Sequence, residues 1–309
     1  MNFQQLRIIR ETLRQNFNLT DAANALLTSQ SGVSKHIRDL EDELGFEIFL
    51  RRGKRLLGLT EPGQAVVGIV ERILLETQNL EQLSAELSRS DAGTLTIATT
   101  HTQARYILPP VIAAFKQRYP NVRLTLKQAN PKDIATYLHE GQADIGIATD
   151  TLDDAAGILS FPYLTWEHAA IVPVGHALIG RAPLTLQMLA EYPIVTYDEG
   201  LTGRVRIDRA FSEAGLLPDI TMTALDADVI KACVEMGLGV GLIASMAYDS
   251  ARDRGLVILK SPGLFPESKS SIAVRDGHFL RDYVYRFIEL CSPSLTEATM
   301  RRAQERALR

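Results

Sequence analysis

The chain has 309 residues, 46% of them hydrophobic and 23% charged, with a formal net charge of -4 at neutral pH. This composition predicts a globular protein of about two domains with a sizeable core. It excludes a protein that is basic over its whole surface, although residues 1–60 carry nine Lys and Arg against seven Asp and Glu, a local net charge of +2.

The cysteines and the N-terminus indicate where the protein works. Cys233 and Cys291 lie far apart and in no metal-binding spacing, so we interpret them as buried thiols in a reducing compartment. The N-terminus has no apolar signal segment, and no apolar run approaches the ~18 residues that would span a bilayer. We therefore expect a cytoplasmic protein without a membrane partner.

The chain begins with two predicted helices. Residues 2–15 predict a first helix because apolar side chains recur along one of its sides, namely Phe3, Leu6, Ile9 and Leu13. Thr20 is then the expected N-cap of a short second helix. In that helix Ala22 and Ala23 are small enough to let another helix cross closely.

Residues 27–45 predict a third helix, which Ser29 begins as N-cap and Gly45 ends. Its apolar stripe comprises Val33, Ile37, Leu40 and Leu44. Its other face carries donors and acceptors that suit base edges and phosphates in a DNA major groove, on Gln30, Ser31, Ser34, Lys35 and Arg38. Three short helices, the last two joined by a tight turn, form a helix-turn-helix. An ordinary amphipathic surface helix would show the same stripe. The segments on either side of the helix therefore decide between a DNA-reading helix and an ordinary one.

The segment after the third helix predicts a hairpin wing. Residues 46–50 and 56–59 are apolar strand candidates on either side of a turn at Gly53. Four cations crowd this turn, namely Arg51, Arg52, Lys54 and Arg55. They would repel one another on an isolated surface, whereas beside a DNA-reading helix each can neutralise a phosphate. We expect the acidic end of the third helix, residues 41–43, to point away from phosphate.

Residues 62–87 predict one long helix. Its apolar residues keep an alternating spacing of three and four, with interruptions at Thr77 and Ser84, and comprise Val66, Val70, Ile73, Leu80 and Leu87. Such a seam needs a partner. The same helix of a second subunit would give a homodimer or homotetramer with paired DNA-reading helices. Packing against its own domain is the alternative.

From residue 94 onward, segments of strand character alternate with segments of helical character. The predicted strands are 94–100, 122–128, 143–149, 169–174, 193–197, 220–225, 239–244 and 270–274. The predicted helices are 104–118, 132–140, 185–191, 204–214, 227–236 and 280–290. Repeated strand–helix units predict largely parallel sheets. The tail from residue 293 has the pattern of a weak helix and shows no clear role.

Polar clusters stand where predicted strands end and helices begin. Residues 99–103 hold three hydroxyls and an amide, Thr149 closes another strand, and Thr202 opens a helix of the second series. Ligands of open α/β sheets bind at such strand ends, where helix N-termini supply free N–H groups. A small anion or zwitterion would suit these groups. For any single threonine, a helix cap is the alternative interpretation.

The motifs of common enzymes are absent from the sequence. Residues 237–241 resemble a dinucleotide loop, but they follow a helix and precede a strand, which is the reverse of the required order. His139 and Glu140 lack the second histidine of a metalloprotease helix, and no G-x-S-x-G occurs. We predict no catalytic residue, no metal site and no cofactor.

At many positions, the opening residues resemble the DNA-binding signature of LysR-type transcriptional regulators. They are Ala22, Ala23, Ser29, Gln30, Val33, Ser34, Ile37, Leu40, Glu41, Leu44, Gly45, Ile48, Phe49, Arg51 and residues 59–63. The resemblance implies a sequence-specific regulator that binds double-stranded DNA, with RNA polymerase as a further partner. The predicted DNA contacts are Gln30, Ser31, Ser34, Lys35 and Arg38 on the helix and Arg51, Arg52, Lys54 and Arg55 on the wing.

The resemblance also implies the architecture. We expect an N-terminal all-α winged helix-turn-helix and an α/β two-lobed effector domain like that of periplasmic binding proteins. The expected domains are 1–60 for DNA binding, 61–90 as a linker and dimerisation helix, 91–292 for the effector, and 293–309 as a tail. Within the effector domain, 91–162 and 266–292 would form lobe I and 163–265 lobe II.

Three later segments, 99–106, 201–204 and 226–231, resemble the branch of the family that contains the cysteine-regulon activator CysB and its relative Cbl. This implies a regulator, with activation expected, that responds to acetylserine, sulfate, thiosulfate or adenylylsulfate. The implied effector contacts are Thr100, Thr102, Gln103, Thr149 and Thr202. Leu225 and the acids Asp198 and Glu199 depart from the branch pattern.

Three other kinds of protein are alternatives to a sulfur-pathway regulator. A regulator of another pathway would sense a different small anion. A solute-binding protein would need a signal peptide and would have no basic N-terminal segment. An enzyme on the same scaffold would need a nucleophile, a base or a metal set.

Overall fold

The computed structural model describes residues 1–53, 55–87, 92–149, 152, 155–260 and 262–307. The chain forms two compact units, Met1–Ser88 and Arg89–Arg309. Lys54, one of the predicted phosphate contacts, lies outside the described residues.

The first unit contains four helices and a two-stranded hairpin. Its elements are α1 (Phe3–Arg14), α2 (Leu19–Ala25), α3 (Gln30–Leu44), β1 (Phe49–Arg52), β2 (Arg55–Leu59) and α4 (Glu61–Leu87). The predicted ends of α3 are confirmed: Ser29 Oγ accepts the Gly32 N–H at 3.1 Å, and Gly45 takes a left-handed φ of 79°. The predicted cap of α2 is wrong, since Asn18 Oδ1, not Thr20, accepts the first amides. Asn18 stands one residue before the helix in extended backbone, where a cap belongs.

Glu41 joins the third helix to the hairpin. It is only 6% exposed, and its Oε1 accepts the N–H groups of Ile48 at 2.8 Å and Phe49 at 3.1 Å. Its Oε2 accepts a hydrogen bond from the Arg51 guanidinium. A buried carboxylate is stable here because three donors replace its water.

The apolar residues of the long helix α4 are buried in one part of the helix and exposed in another. Val70 and Leu74 are buried in the core of the first unit, with Ile73 packed against it. Further along, Leu80 is 67% exposed and Leu87 is 74% exposed. The first part of the helix therefore packs on its own unit, and its end presents an apolar face.

The second unit is built on two five-stranded sheets. The first lobe, defined by the sheet of order β4-β3-β5-β12-β6, uses β3 (Gly93–Thr99), β4 (Val122–Gln128), β5 (Ile145–Thr149), β6 (Ile158–Trp166) and β12 (Ser268–Arg275). The second lobe, defined by the sheet of order β11-β7-β10-β8-β9, uses β7 (His168–Pro173), β8 (Ile194–Tyr197), β9 (Ile220–Ala224), β10 (Val240–Ala244) and β11 (Leu256–Leu259).

Helices cover both sheets. They are α5 (Leu108–Arg118), α6 (Pro131–His139), α7 (Leu186–Ala190), α8 (Thr202–Glu213), α9 (Ala227–Glu235), α10 (Asp282–Cys291) and α11 (Glu297–Ala307). Gln103–Ile107 forms a π-helix ahead of α5, and Ser245–Ala247 a 3-10 turn. The return of β12 and α10 to the first lobe is confirmed, since β12 pairs with β5 and α10 shares its core.

The prediction of largely parallel sheets is only half right. β3 runs parallel to β4 and β5, and β8 runs parallel to β9 and β10. The other pairings are antiparallel, with β12 between β5 and β6 and with β7 between β10 and β11. Two parallel neighbouring strands need a long crossover connection, which a helix usually supplies. β6 has no such connection after it, because it passes into β7 of the other sheet through Glu167 alone.

In the part of the chain that the structure describes, no helix has the length and apolarity needed to cross a bilayer.

We expect Glu41→Ala to destabilise the first unit by about 2–4 kcal/mol, because it leaves the Ile48 and Phe49 N–H groups buried without their acceptor. Native-state hydrogen exchange of residues 1–88 in the full chain would measure the loss. Asp42→Ala, at the exposed neighbouring position, is the matched control. Equal effects of the two substitutions would contradict the role of Glu41.

Candidate functional site

A cleft of about 400 Å³ opens between the two lobes of the second unit, at the carboxyl ends of the central strands. It brings together all five residues that the sequence proposed for an effector: Thr100, Thr102, Gln103, Thr149 and Thr202. The sequence missed other lining residues, among them His101, Gln128, Asn130, Trp166, Tyr197 and Asp226.

Ser270 lies beneath the first-lobe side of the cleft and organises it. The residue is fully buried. Its Oγ accepts from Gln103 Nε2 at 2.9 Å and from Trp166 Nε1 at 3.0 Å, and it lies 3.0 Å from Thr149 Oγ1. An indole N–H and an amide NH₂ can only donate. Ser270 therefore accepts twice and gives its own proton to Thr149.

Tyr163 fixes the direction of this network. Its hydroxyl donates to Gln103 Oε1, and burial raises the pKa of the Tyr163 phenol, so the proton stays on it. Because Oε1 is the acceptor, the amide nitrogen of Gln103 must face Ser270. Thr149, which accepts from Ser270, acts as a donor through its own hydroxyl. The first-lobe wall is thereby built to offer protons.

The second-lobe wall is the start of α8. Thr202 is its first residue, and Gly203 follows. A Cβ at Gly203 would lie 3.0 Å from His168 Nε2 and 3.2 Å from the Tyr197 ring, so the backbone approaches these rings closely. The first N–H groups of an α-helix have no acceptor within the helix and carry a partial positive charge. This end of the cleft also favours an anion.

The acids that depart from the branch pattern do not face the cleft. Neither Asp198 nor Glu199 is among its lining residues, and the Glu199 side chain is 88% exposed. Arg204 is turned away as well, donating to Asp208 at 2.7 Å and to the Tyr197 carbonyl at 3.1 Å. Leu225, 71% exposed, stands at the rim.

One group of side chains has the composition of a metal site. The ligand atoms of His101, Asp226 and Asp228 lie within 4.8 Å of one another. Asp228, however, already holds Arg105 at 3.1 Å and Lys231 at 3.4 Å. Two resident cations oppose a third, so the group is better suited to its present ion pairs.

His168 is buried below Thr202 and Gly203, 3% exposed. Its ring centroid lies 4.9 Å from that of Trp166 and 6.0 Å from that of Phe265. Neither ring nitrogen has a hydrogen-bond partner among the described residues. Burial, with a smaller effect of the Arg206 charge, lowers the pKa of His168 to about 3.

The first unit has its own candidate surface, a concave face between α3 and the hairpin. Of the predicted DNA contacts, Gln30, Ser31, Ser34, Arg38 and Arg51 line it. Lys35, Arg52 and Arg55 are exposed outside that lining. Arg38 folds back on Ser34, with Nη2 3.3 Å from Oγ, whereas Arg51 is held by Glu41.

Known families account for most of the chain. Residues 3–64 match the family described as bacterial regulatory helix-turn-helix protein, lysR family. Residues 88–295 match the LysR substrate binding domain.

Relatives match over nearly their whole length. The chain is 55% identical to the HTH-type transcriptional regulator SsuR of Burkholderia cenocepacia over 298 residues, covering 96% of this chain and 97% of that one. It is 51% identical to the HTH-type transcriptional regulator cbl of Escherichia coli over 302 residues, covering 98% and 96%. It is 50% identical to the HTH-type transcriptional regulator CysB of Burkholderia cenocepacia over 303 residues, covering 98% and 97%. These relatives are transcriptional regulators and not enzymes.

Solved structures agree. The cofactor-binding domain of the Cbl transcriptional regulator matches with a TM-score of 0.66 and 45% identity, covering 69% of this chain and 94% of that one. A full-length variant of OxyR from Pseudomonas aeruginosa matches with a TM-score of 0.68 over 96% of this chain and 94% of that one; at 24% identity it shows the fold alone.

The buried His168 predicts a pH dependence. Its folded pKa of about 3 lies below the usual 6.5, so the unfolded chain binds more protons between these values. Stability should therefore fall as the pH drops through this window, by up to about 1.4 kcal/mol per pH unit. His168→Phe should lower the slope of unfolding free energy against pH by the contribution of about one proton, ~1.4 kcal/mol per pH unit. Denaturant titration between pH 4 and 6.5 would measure this slope.

A second buried histidine contributes to the remaining slope. Burial and the charge of Arg275 lower the pKa of His278 to about 4. His278→Phe should therefore remove a further part of the slope from the His168 variant, whereas Thr223→Val, on an exposed face of β9, should leave it unchanged. Identical slopes in the parent and His168→Phe would contradict the assignment.

Proposed function

Because this chain belongs to the LysR family of transcriptional regulators, we propose that it controls sulfur-assimilation and cysteine-biosynthesis genes in response to a small sulfur-pathway metabolite. The candidate effectors are O-acetylserine, N-acetylserine, sulfate, thiosulfate and adenylylsulfate. The effector occupies the cleft between the lobes, and the helix-turn-helix reads the operator.

The observation that carries the proposal is the donor character of the cleft. Gln103 Nε2 carries a second N–H besides the one that it gives to Ser270, and Thr202 stands at a helix N-terminus. An anion or zwitterion can accept from both of these groups, whereas a neutral apolar ligand would offer them no acceptor. A volume of about 400 Å³ suits a small molecule.

The sulfur assignment has a separate support. The relatives include regulators named CysB and Cbl, and segments 99–106, 201–204 and 226–231 resemble that branch. Segments 99–106 and 201–204 contribute four of the five proposed effector contacts, Thr100, Thr102, Gln103 and Thr202. A different small anion is the second candidate, favoured by the apolar Leu225 at the rim.

DNA reading is assigned to the first unit. Gln30, Ser31, Ser34, Lys35 and Arg38 would contact bases from α3, and Arg51, Arg52, Lys54 and Arg55 would hold phosphates from the hairpin. Gln30, Ser31, Lys35 and Arg38 are exposed, which supports their role. The exposed leucines at the end of α4, Leu80, Leu83 and Leu87, support a homodimer or homotetramer joined through this helix.

Calorimetric titration of the full chain with the five candidate effectors tests the sulfur assignment. At least one should bind, and Gln103→Leu or Thr202→Val should weaken it about ten-fold or more, because each removes a donor to a charged ligand. Thr223→Val in β9 is the matched control. Binding by none of the five would refute the sulfur assignment and leave the DNA-binding role intact.

Separate substitutions test base reading against phosphate binding. Arg38→Ala should cost about 1–3 kcal/mol on an operator selected from random duplexes and should alter sequence preference. Arg55→Ala should weaken specific and random duplexes alike and lower the salt slope by about 1. Arg209→Ala, on exposed α8, is the control. If both arginine variants behaved identically on specific and random DNA, the division of roles would be wrong.

A further inference from the structure

Asp228, near the start of α9 in the second lobe, contacts three residues of the first lobe. Its Oδ1 accepts the Tyr106 hydroxyl at 2.7 Å, and its Oδ2 accepts Arg105 Nε at 3.1 Å. His101 Nε2 lies 3.6 Å from the same oxygen. Asp228, Arg105 and Tyr106 are not among the residues that line the cleft, whereas His101 is, so the hydrogen bonds of Asp228 to Arg105 and Tyr106 join the lobes outside the ligand site.

The second lobe holds Asp228 in place through Lys231. This lysine, 9% exposed, donates to the Ala247 carbonyl at 2.9 Å and pairs with Asp253 at 3.2 Å and Asp228 at 3.4 Å. Its Nζ also lies 5.0 Å from the centroid of the Tyr106 ring. Tyr106, although it belongs to the chain after β3, packs against the core of the second lobe.

The segment that Asp228 holds is the one that builds the cleft. Gln103 is bonded to Ser270 of the first lobe, and Tyr106, three residues on, is bonded to the second lobe. The π-helix Gln103–Ile107 contains both attachments. Wider helical turns of this kind shift the direction of successive side chains and occur often at functional sites.

The charges of the contact suit a persistent ion pair. Burial raises the pKa of Asp228, but hydrogen bonds from Tyr106 and Arg105 and the charge of Lys231 outweigh it and lower the pKa to about 2. The carboxylate therefore stays ionised at neutral pH, where it can accept all of these donors.

We propose that Asp228 is a positioning residue for effector binding, which holds residues 101–106 of the first lobe against the second lobe so that the cleft stays closed around its ligand. That a ligand binds in the cleft rests on the proposed function, whereas the contact between the lobes does not. Because these contacts need the two lobes to lie as close as they do here, they and an effector bound between the lobes would stabilise the same arrangement, and losing them would lower the apparent affinity by the fraction of closed molecules lost.

The first test needs no ligand. In the full chain, Asp228→Asn and Tyr106→Phe should each speed hydrogen–deuterium exchange of amides 101–107 at least about ten-fold, because each weakens a hydrogen bond to an ionised carboxylate, which is stronger than a bond between neutral groups. Tyr106→Phe keeps the ring and its packing on the second lobe. Exchange of the sheet strands should stay at the parent rate, which a general loss of stability would not allow.

The double variant separates a shared contact from two independent ones. Because both substitutions act on the same hydrogen bond, the double variant should exchange more slowly than the product of the two single effects predicts. Glu213→Gln, which removes the exposed pair with Arg209 inside the second lobe, should leave segment 101–107 unchanged. Unchanged exchange in Asp228→Asn, or multiplied effects in the double variant, would overturn the proposal.

The second test uses sulfate and O-acetylserine as probes in calorimetry. Asp228→Asn should weaken whichever probe binds the parent by about ten-fold, with Glu213→Gln at parent affinity. Equal affinities of parent and Asp228→Asn would overturn the positioning role. If neither probe binds the parent, these two effectors are ruled out, while the exchange experiment still decides whether Asp228 holds the lobes.

Discussion

The polarity of the cleft depends on one buried hydroxyl, that of Ser270. The indole of Trp166 and the amide of Gln103 both donate to it, so its proton passes to Thr149. Tyr163 holds the Gln103 oxygen from the other side, so the amide cannot turn that oxygen toward an anion without losing both hydrogen bonds. The recognition chemistry of the cleft is thus set by a residue beneath the surface that the ligand touches.

Buried charges join elements that are distant in sequence. Glu41 ties α3 to the hairpin of the first unit, and in the second unit Lys231 anchors Asp228 where the two lobes meet. Each charge is stable only because its partners replace water, and removing one partner leaves the other uncompensated. These contacts therefore specify geometry: one sets the reading helix against its wing, and the other sets the two walls of the cleft.

Much of the site could be predicted because strand ends and helix starts are visible in sequence. Thr100, Thr102, Gln103, Thr149 and Thr202 all stand at such positions, and all five line the cleft. Ser270 was missed because it lies inside a buried strand, where a serine is usually interpreted as part of the packed interior. Its polar neighbours Ser268 and Ser271 are an available signal, but nothing in a linear pattern indicates which residues a strand will meet.

By itself, the sequence determined the helix-turn-helix with its Ser29 and Gly45 ends, most of the strand and helix order of the second unit, and the family, but it missed the strands β6 and β11. The helix ends and the element order follow from local periodicity and capping, which act over a few residues, whereas the family follows from the resemblance of residues 22–63 to a known signature. Only the tertiary structure decided the antiparallel pairing of β6, β7, β11 and β12, the Ser270 network and the contacts of Asp228. Each joins residues far apart in the chain, and their pairing depends on how the sheets pack.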